Sequence, residues 1–157
     1  MFQIEVKMNL IAHEFHPAEE RQVHVDLDAM ELPTGGTHPQ DKHGIAERCR
    51  LWLEKADVVI GSHPIYGRTD VVAVRGASTY LVEVEGDSSR QPEQALHSTL
   101  GQTILMMTHL TSSRVFALAV PHAPHWERQL RKVPATVCKA LNLRLYLVSK
   151  DGTRDIA

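Results

Sequence analysis

The chain has little cysteine, few aromatic residues and no large excess of either charge. Only Cys49 and Cys138 are present among 157 residues, and 5% of the residues are aromatic. Two cysteines so far apart lack the spacing of a zinc site, and they favour reduced thiols in the cytoplasm. The formal net charge of −2 argues against a broad basic surface for non-specific nucleic-acid binding. Any nucleic-acid contact must therefore be local.

Long apolar runs and several common catalytic motifs are also missing. No segment approaches the roughly 20 apolar residues of a transmembrane helix, and the start MFQIEVKMNL lacks the apolar core of a signal peptide. No Walker loop, GxGxxG fingerprint or GxSxG elbow occurs. With 43% hydrophobic and 23% charged residues, residues 1–157 are typical of one ordinary globular domain.

The N-terminal segment alternates between apolar and polar residues. Residues 2–10 alternate strictly, and residues 23–28 repeat the pattern, which is typical of half-buried strands. The two segments together predict an N-terminal β-hairpin, followed by a loop rich in proline and glycine, within residues 1–40. Glu5 and Lys7 lie on the polar side of this pattern and are interpreted as surface residues.

From residue 45 onward the patterns predict helices and strands in an α/β order. In chain order they are a helix over 45–56, strands over 57–62, 69–76 and 79–86, a helix from Pro92, a strand over 114–120, a helical segment broken at Pro134, and a strand over 143–149. We therefore predict a mixed central sheet flanked by helices, with an αβββαβ core inside residues 41–150.

Three carboxylates are predicted to converge on one face of this sheet. Glu83 and Glu85 point the same way because side chains alternate along a strand. A tight turn at residues 76–77 sets a register in which Asp70 lies directly opposite Glu83. Facing carboxylates repel each other, whereas three oxygen ligands suit Mg²⁺ or Mn²⁺. Asp70, Glu83 and Glu85 are therefore candidate metal ligands; the alternative is a solvated sheet face.

The stretch TDVVAVRGASTYLVEVEG, followed by a helix, resembles the PD-(D/E)xK nuclease superfamily, also called restriction-endonuclease-like. The resemblance implies a restriction-endonuclease-like core and a metal-dependent endonuclease that hydrolyses phosphodiester bonds of double-stranded or branched DNA in restriction, repair or junction resolution. It assigns Asp70 and Glu83 as metal-binding acids. Glu85 stands where most members have lysine, although some restriction enzymes of the superfamily have glutamate there.

Two further residues gain a role through this resemblance. GIAER at residues 44–48 is similar to a helix of archaeal Holliday-junction resolvases, which implies Glu47 as another catalytic acid. Gln102, followed by Met106, looks like the Gln-x-x-x-Tyr of the exonuclease branch with its tyrosine missing. The alternatives are an exposed helix glutamate for Glu47 and a polar helix residue near the site for Gln102.

The absent lysine opens a second hypothesis. Without it the site needs a cation from elsewhere, and Arg68, Arg90 and Lys55 are the candidates. If none serves, the chain is a weak or inactive protein of this fold that acts as a binding or assembly module.

Histidine suggests a third hypothesis of a different kind. The pairs HEFH (His13, His16) and HAPH (His122, His125) have plausible ligand spacing, and together they could form a four-histidine zinc site. Surface histidines near loops more often bind nothing.

We also expect a homodimer. Cutting both strands of a duplex is most simply done by two sites, and twofold pairs are the commonest oligomers. The N-terminal hairpin, residues 2–28, is the expected contact; the alternative is that it extends the sheet of its own subunit.

Overall fold

The computed structural model describes residues 1–18, 22–28, 40–87 and 90–157. In chain order the elements are α1 (Gln3–His13), β1 (Gln22–Val25), α2 (Gln40–Lys55), β2 (Val59–Ile60), β3 (Val71–Arg75), β4 (Ser78–Val84), α3 (Pro92–Met106), β5 (Arg114–Pro121), α4 (Pro124–Leu130), α5 (Ala135–Leu141), β6 (Leu143–Val148) and β7 (Thr153–Asp155). The seven strands within these described ranges form one mixed sheet in the order β2-β1-β3-β4-β5-β6-β7. The predicted α/β fold, with a mixed central sheet flanked by helices, is confirmed. Within the described ranges no helix combines the length and apolarity needed to cross a bilayer.

The hairpin between β3 and β4 has the register that the sequence predicts. Val74 pairs with Thr79, and Val71 pairs with Val82 at the other end. Gly76 adopts a φ of 58°, a left-handed conformation that glycine accepts without steric cost and that a tight turn requires. Continuing the register by one residue places Asp70, just before β3, opposite Glu83 in β4.

The predicted N-terminal β-hairpin is wrong, because residues 3–13 form helix α1. The helix buries Ile4, Leu10 and Ile11 against its surroundings, and it contacts both α2 and strands β4 to β6. Because α1 is enclosed on several sides, its buried residues are not confined to one face of the helix. The apolar and polar residues of segment 2–10 therefore alternate by chance, and this alternation resembled that of a strand. Glu5 caps the helix by accepting a hydrogen bond of 2.7 Å from the Phe2 N–H.

The second half of the predicted hairpin, β1, is a strand with different partners. It pairs antiparallel with β3 and parallel with β2, so it lies inside the sheet and not in a separate hairpin. Strand β2 is only two residues long and lies at the sheet edge. The strand beside β3 is thus β1, and the strand predicted over 57–62 is reduced to β2, on the far side of β1. Its Val23 and Val25 are buried, which explains why it takes the inner position.

Each face of the sheet is covered by an apolar layer. One layer includes Val6 and Leu10 of α1 together with Leu53 of α2. The layer on the other face includes Leu96 of α3 and Trp126 of α4. With both faces covered, polar side chains can gather only at the ends of the strands, and the candidate site lies at such an end.

Helix α1 approaches the end of β4 unusually closely at Gly86. A Cβ atom at this position would lie 2.3 Å from the Gln3 backbone nitrogen, which no side chain tolerates. The Gln3 Nε2 also donates a 2.8 Å hydrogen bond to the Val84 carbonyl oxygen. Glycine at 86 therefore sets how closely the helix can lie against the strand.

We expect Gly86→Ala to lower the free energy of unfolding by about 1–3 kcal/mol, the usual cost of overpacking, because the added methyl group must push backbone apart. Gly101→Ala is the matched control, since a Cβ there meets nothing within 4 Å; in the interior of a helix it should be neutral or stabilise by up to about 1 kcal/mol. Urea denaturation of both variants measures the difference. Equal stability of the two variants would show that α1 does not depend on this contact.

Candidate active site

Most of the residues predicted for the site meet in one open cleft at the end of β3 and β4. The cleft has a volume of about 620 Å³ and is lined by Gln3, Asp26, Asp28, Arg68, Asp70, Glu83, Val84, Glu85, Arg90 and Gln102. Among the described residues, five carboxylates and two guanidinium groups line it. Asp26 and Asp28 were missed from the sequence. They follow β1, whose place beside β3 only the sheet order reveals.

Asp70 and Glu83 form the centre of the site. Glu83 is only 8% exposed. Its burial, with the negative charge of Asp70 and a hydrogen bond to it as the next causes, raises the pKa of the Glu83 carboxyl to about 8. The two groups therefore share a region where one negative charge is accommodated and a second is costly. A cation placed between them would relieve that cost.

Glu85 lies next to this pair, on the side of α3. The Thr99 hydroxyl donates a hydrogen bond to its Oε1. Burial raises the pKa of the Glu85 carboxyl, although the bond from Thr99 opposes the shift. Glu85 thus lies beside Asp70 and Glu83, and the hydrogen bond from Thr99 of α3 fixes the position of its carboxylate.

The buried cation beside the site is Lys7, and its interpretation as a surface residue was wrong. Its side chain is 1% exposed, and its Nζ forms a 2.8 Å salt bridge with Asp70 Oδ1. The same Nζ donates a 2.7 Å hydrogen bond to the Asp26 carbonyl oxygen. A helical interpretation of residues 3–13 could have found it, because Lys7 shares the face of Ile4 and Ile11 at spacings of three and four.

The remaining predicted residues divide into two groups. Gln102 lines the cleft from α3, and Arg68 and Arg90 line it from loops. Arg68 donates to Asp26 Oδ2 at 3.3 Å. Glu47, in contrast, is not among the lining residues; it accepts a 2.7 Å hydrogen bond from Arg50 on α2. Lys55, at the end of α2, does not line the cleft either.

The donor set fits a hard divalent cation, although its members are not yet grouped around one point. Carboxylate oxygens are the ligands that Mg²⁺ and Mn²⁺ prefer. In the described part of the chain, however, no three His, Cys, Asp or Glu side chains stand together as a metal site. Lys7 holds an oxygen of Asp70 and Thr99 holds one of Glu85. An ion would have to draw these oxygens inward.

The four-histidine zinc hypothesis fails because, among the described residues, no three His, Cys, Asp or Glu side chains stand together as a metal site. His13 contacts the Lys150 carbonyl oxygen, and His16 accepts from the Ala18 N–H. His125 lies 3.5 Å from Asp87. Each of these rings has a local partner of its own.

No protein-family model, no curated protein and no solved structure matches this chain.

The raised pKa of Glu83 predicts how the stability of the metal-free protein depends on pH. The folded state favours protonated Glu83, so this contribution is fully present below the usual pKa of 4.5 and is lost as the pH rises through about 8. We expect the stability of the wild type to fall relative to Glu83→Gln over this window, by up to about 1.4 kcal/mol per pH unit.

Chemical denaturation between pH 5 and pH 9, without divalent ions, measures this slope. The exposed Glu93→Gln variant should keep the slope of the wild type. Parallel curves for the wild type and Glu83→Gln would contradict the expectation.

Proposed function

We propose that the protein is a metal-dependent endonuclease of the PD-(D/E)xK type that hydrolyses phosphodiester bonds in double-stranded or branched DNA. The observation that carries the proposal is the pair of Asp70 and Glu83 at the ends of neighbouring antiparallel strands, with Glu85 and Gln102 in the same open cleft. Acids in this arrangement can bind a hard cation where a phosphate can reach it.

The order of elements supports the proposal. Elements α1, β1, β3, β4, α3 and β5 follow the αβββαβ order that the resemblance implies, and their strands are sheet neighbours in the order β1-β3-β4-β5. Strand β4 runs antiparallel to β3 and parallel to β5. A core defined in this way begins with α1, about 40 residues earlier than the sequence predicted, and α2 and β2 form an insertion.

Asp70 and Glu83 would hold Mg²⁺ or Mn²⁺, with Glu85 as a further ligand. When bound, the ion makes a water molecule more acidic and neutralises charge on the phosphate. The chain's own residues do the rest. Glu85 can accept a proton from the attacking water, Gln102 can orient a polar group by hydrogen bonding, and Arg68 and Arg90 place positive charge on the cleft wall.

A second candidate function is an inactive protein of the same fold that serves as a binding or assembly module. It is favoured by the absence of a ready three-ligand metal cluster among the residues described. The two candidates differ in one respect that is easily measured, namely cleavage in the presence of Mg²⁺ or Mn²⁺.

The proposal also includes an oligomeric state and a cellular location. A homodimer remains part of it, since two sites cut two strands, but the contact is not an N-terminal hairpin because residues 3–13 are helical. A cytoplasmic location is supported by the two cysteines, which are both free and buried.

We expect the wild type to cleave supercoiled plasmid or branched DNA with Mg²⁺ or Mn²⁺, and Asp70→Asn to lose at least about 100-fold in rate. The reason is that a metal ion contributes several kcal/mol of transition-state stabilisation. Glu47→Gln, a neutral substitution of a carboxylate outside the cleft, should keep full activity. Gel assays over a metal titration decide the matter. A fully active Asp70→Asn variant would refute the assignment, and an inactive wild type that still binds DNA would favour the module.

We also expect DNA binding to depend on a divalent cation. With Glu83 mostly protonated at neutral pH and Lys7 paired with Asp70, the four other carboxylates among the described lining residues still outnumber the three cations. The cleft is therefore negative, and a phosphate is repelled until a cation intervenes. Fluorescence anisotropy with Ca²⁺ should show binding at least about tenfold tighter than with a chelator, corresponding to about 1.4 kcal/mol. The gain should disappear in Asp70→Asn and persist in Glu47→Gln. Equal affinity with and without Ca²⁺ would show that DNA binds elsewhere.

A further inference from the structure

Lys7 is a buried lysine beside a cleft whose carboxylates must be accessible to a cation. An enclosed ammonium is costly unless it is paired and hydrogen-bonded. Lys7 meets both conditions, through Asp70 Oδ1 at 2.8 Å and the Asp26 carbonyl oxygen at 2.7 Å. With 1% of its surface exposed, the side chain cannot reach a phosphate that occupies the cleft. Lys7 can therefore act on the site through its bond to Asp70 and through its positive charge.

Asp70 is held at both of its oxygens. Oδ1 binds Lys7, and Oδ2 accepts a 2.9 Å hydrogen bond from the Val84 N–H. The Asp70 carbonyl oxygen also accepts a 2.9 Å bond from the Asp26 N–H. The bonds from Lys7 and Val84 fix the plane of the carboxylate, and Glu83 also shares a hydrogen bond with it. Since a carboxylate offers about four lone-pair directions, room for a cation still remains. These contacts orient Asp70 and leave its carboxylate able to bind a cation.

The helix that carries Lys7 is held against the same strand that carries Glu83 and Glu85. Gly86 allows the backbone of α1 to approach, and the Gln3 side chain binds the Val84 carbonyl oxygen at 2.8 Å. Two anchors at the start of α1 thus place Lys7, one helical turn later, at a set height above Asp70.

We propose that Lys7 is a positioning residue that orients Asp70 for cation binding, and that it does not contact the substrate. The proposal rests on the proposed function, because it assigns Lys7 a task in the same site. It also bears on the absence of a lysine at position 85, because α1 supplies a buried lysine that acts from behind a carboxylate.

A Mn²⁺ titration by calorimetry tests the positioning role, because it shows whether replacing Lys7 raises or lowers the affinity for Mn²⁺. A lysine that acted only through its charge would, once removed, let Mn²⁺ bind more tightly, because like charges repel. A lysine that orients Asp70 gives the opposite sign. We expect Lys7→Met to weaken Mn²⁺ binding by about 10–100-fold, the usual effect of losing a group that orients a metal ligand. The exposed Lys150→Met is the matched control and should bind Mn²⁺ as the wild type does.

Lys7→Arg provides a second variant that keeps the positive charge. Its planar guanidinium cannot make both bonds of the ammonium in the same space, so we expect weaker Mn²⁺ binding here as well. At saturating Mn²⁺, both Lys7 variants should lower kcat while KM for DNA stays within about twofold, which is the pattern of an interaction that serves the transition state alone.

Each outcome has a defined meaning once circular dichroism has shown which variants fold. Wild-type Mn²⁺ affinity in the folded Lys7 variants, tighter binding, or a raised KM with unchanged kcat would each overturn the positioning role and leave the proposed function standing. Loss of folding in both variants would make Lys7 a structural residue and overturn the role too. If the wild type binds no Mn²⁺, the proposed function itself fails and the positioning role fails with it.

Discussion

The salt bridge between Lys7 and Asp70 joins three parts of the molecule at one point. Lys7 belongs to α1, Asp70 leads into β3, and the second bond of the lysine goes to the backbone of Asp26 after β1. Without that ammonium, the carboxylates of the cleft would face one another with no buried cation from the described residues beside them. The cleft, the packing of α1 and the place of β1 beside β3 are therefore parts of one arrangement.

Such an arrangement lowers stability and must be supported elsewhere. Burial raises the pKa of Glu83 to about 8 and also raises that of Glu85, so both groups oppose folding when ionised. The two apolar layers that cover the sheet offset this cost, with side chains as large as Phe116 and Trp126 enclosed. Proteins commonly keep a destabilising set of charges where function requires it. The clustering of perturbed carboxylates in an open cleft is thus an argument for a site, independent of any resemblance.

The site's dependence on α1 changes the meaning of the N-terminal segment. A separable hairpin would have been an accessory, free to serve as an interface. A helix that contacts β4, β5 and β6, and whose lysine reaches the cleft, belongs to the core of the fold. This explains how a site that lacks a lysine on its strand can still contain a cation.

The sequence by itself determined the features that depend on neighbouring residues. The β3–β4 register follows from a two-residue turn with glycine at its first position, because a short loop leaves only one pairing. That register brought Asp70 and Glu83 together, and the period of two added Glu85 to their face. Helix α3 was likewise predicted from its start at Pro92, since proline fits the first turn of a helix.

Tertiary structure alone decided what depends on distant contacts. The pattern of residues 2–10 is compatible with a strand or with a helix enclosed on several sides, and only packing against the sheet and α2 selects the helix. The sheet position of β1, and with it the contribution of Asp26, depends on pairing with β3 across about 50 residues of chain. Lys7 is buried for the same reason. A charged side chain is buried only where another part of the chain supplies its partner. That partner cannot be identified from the residues next to it in sequence.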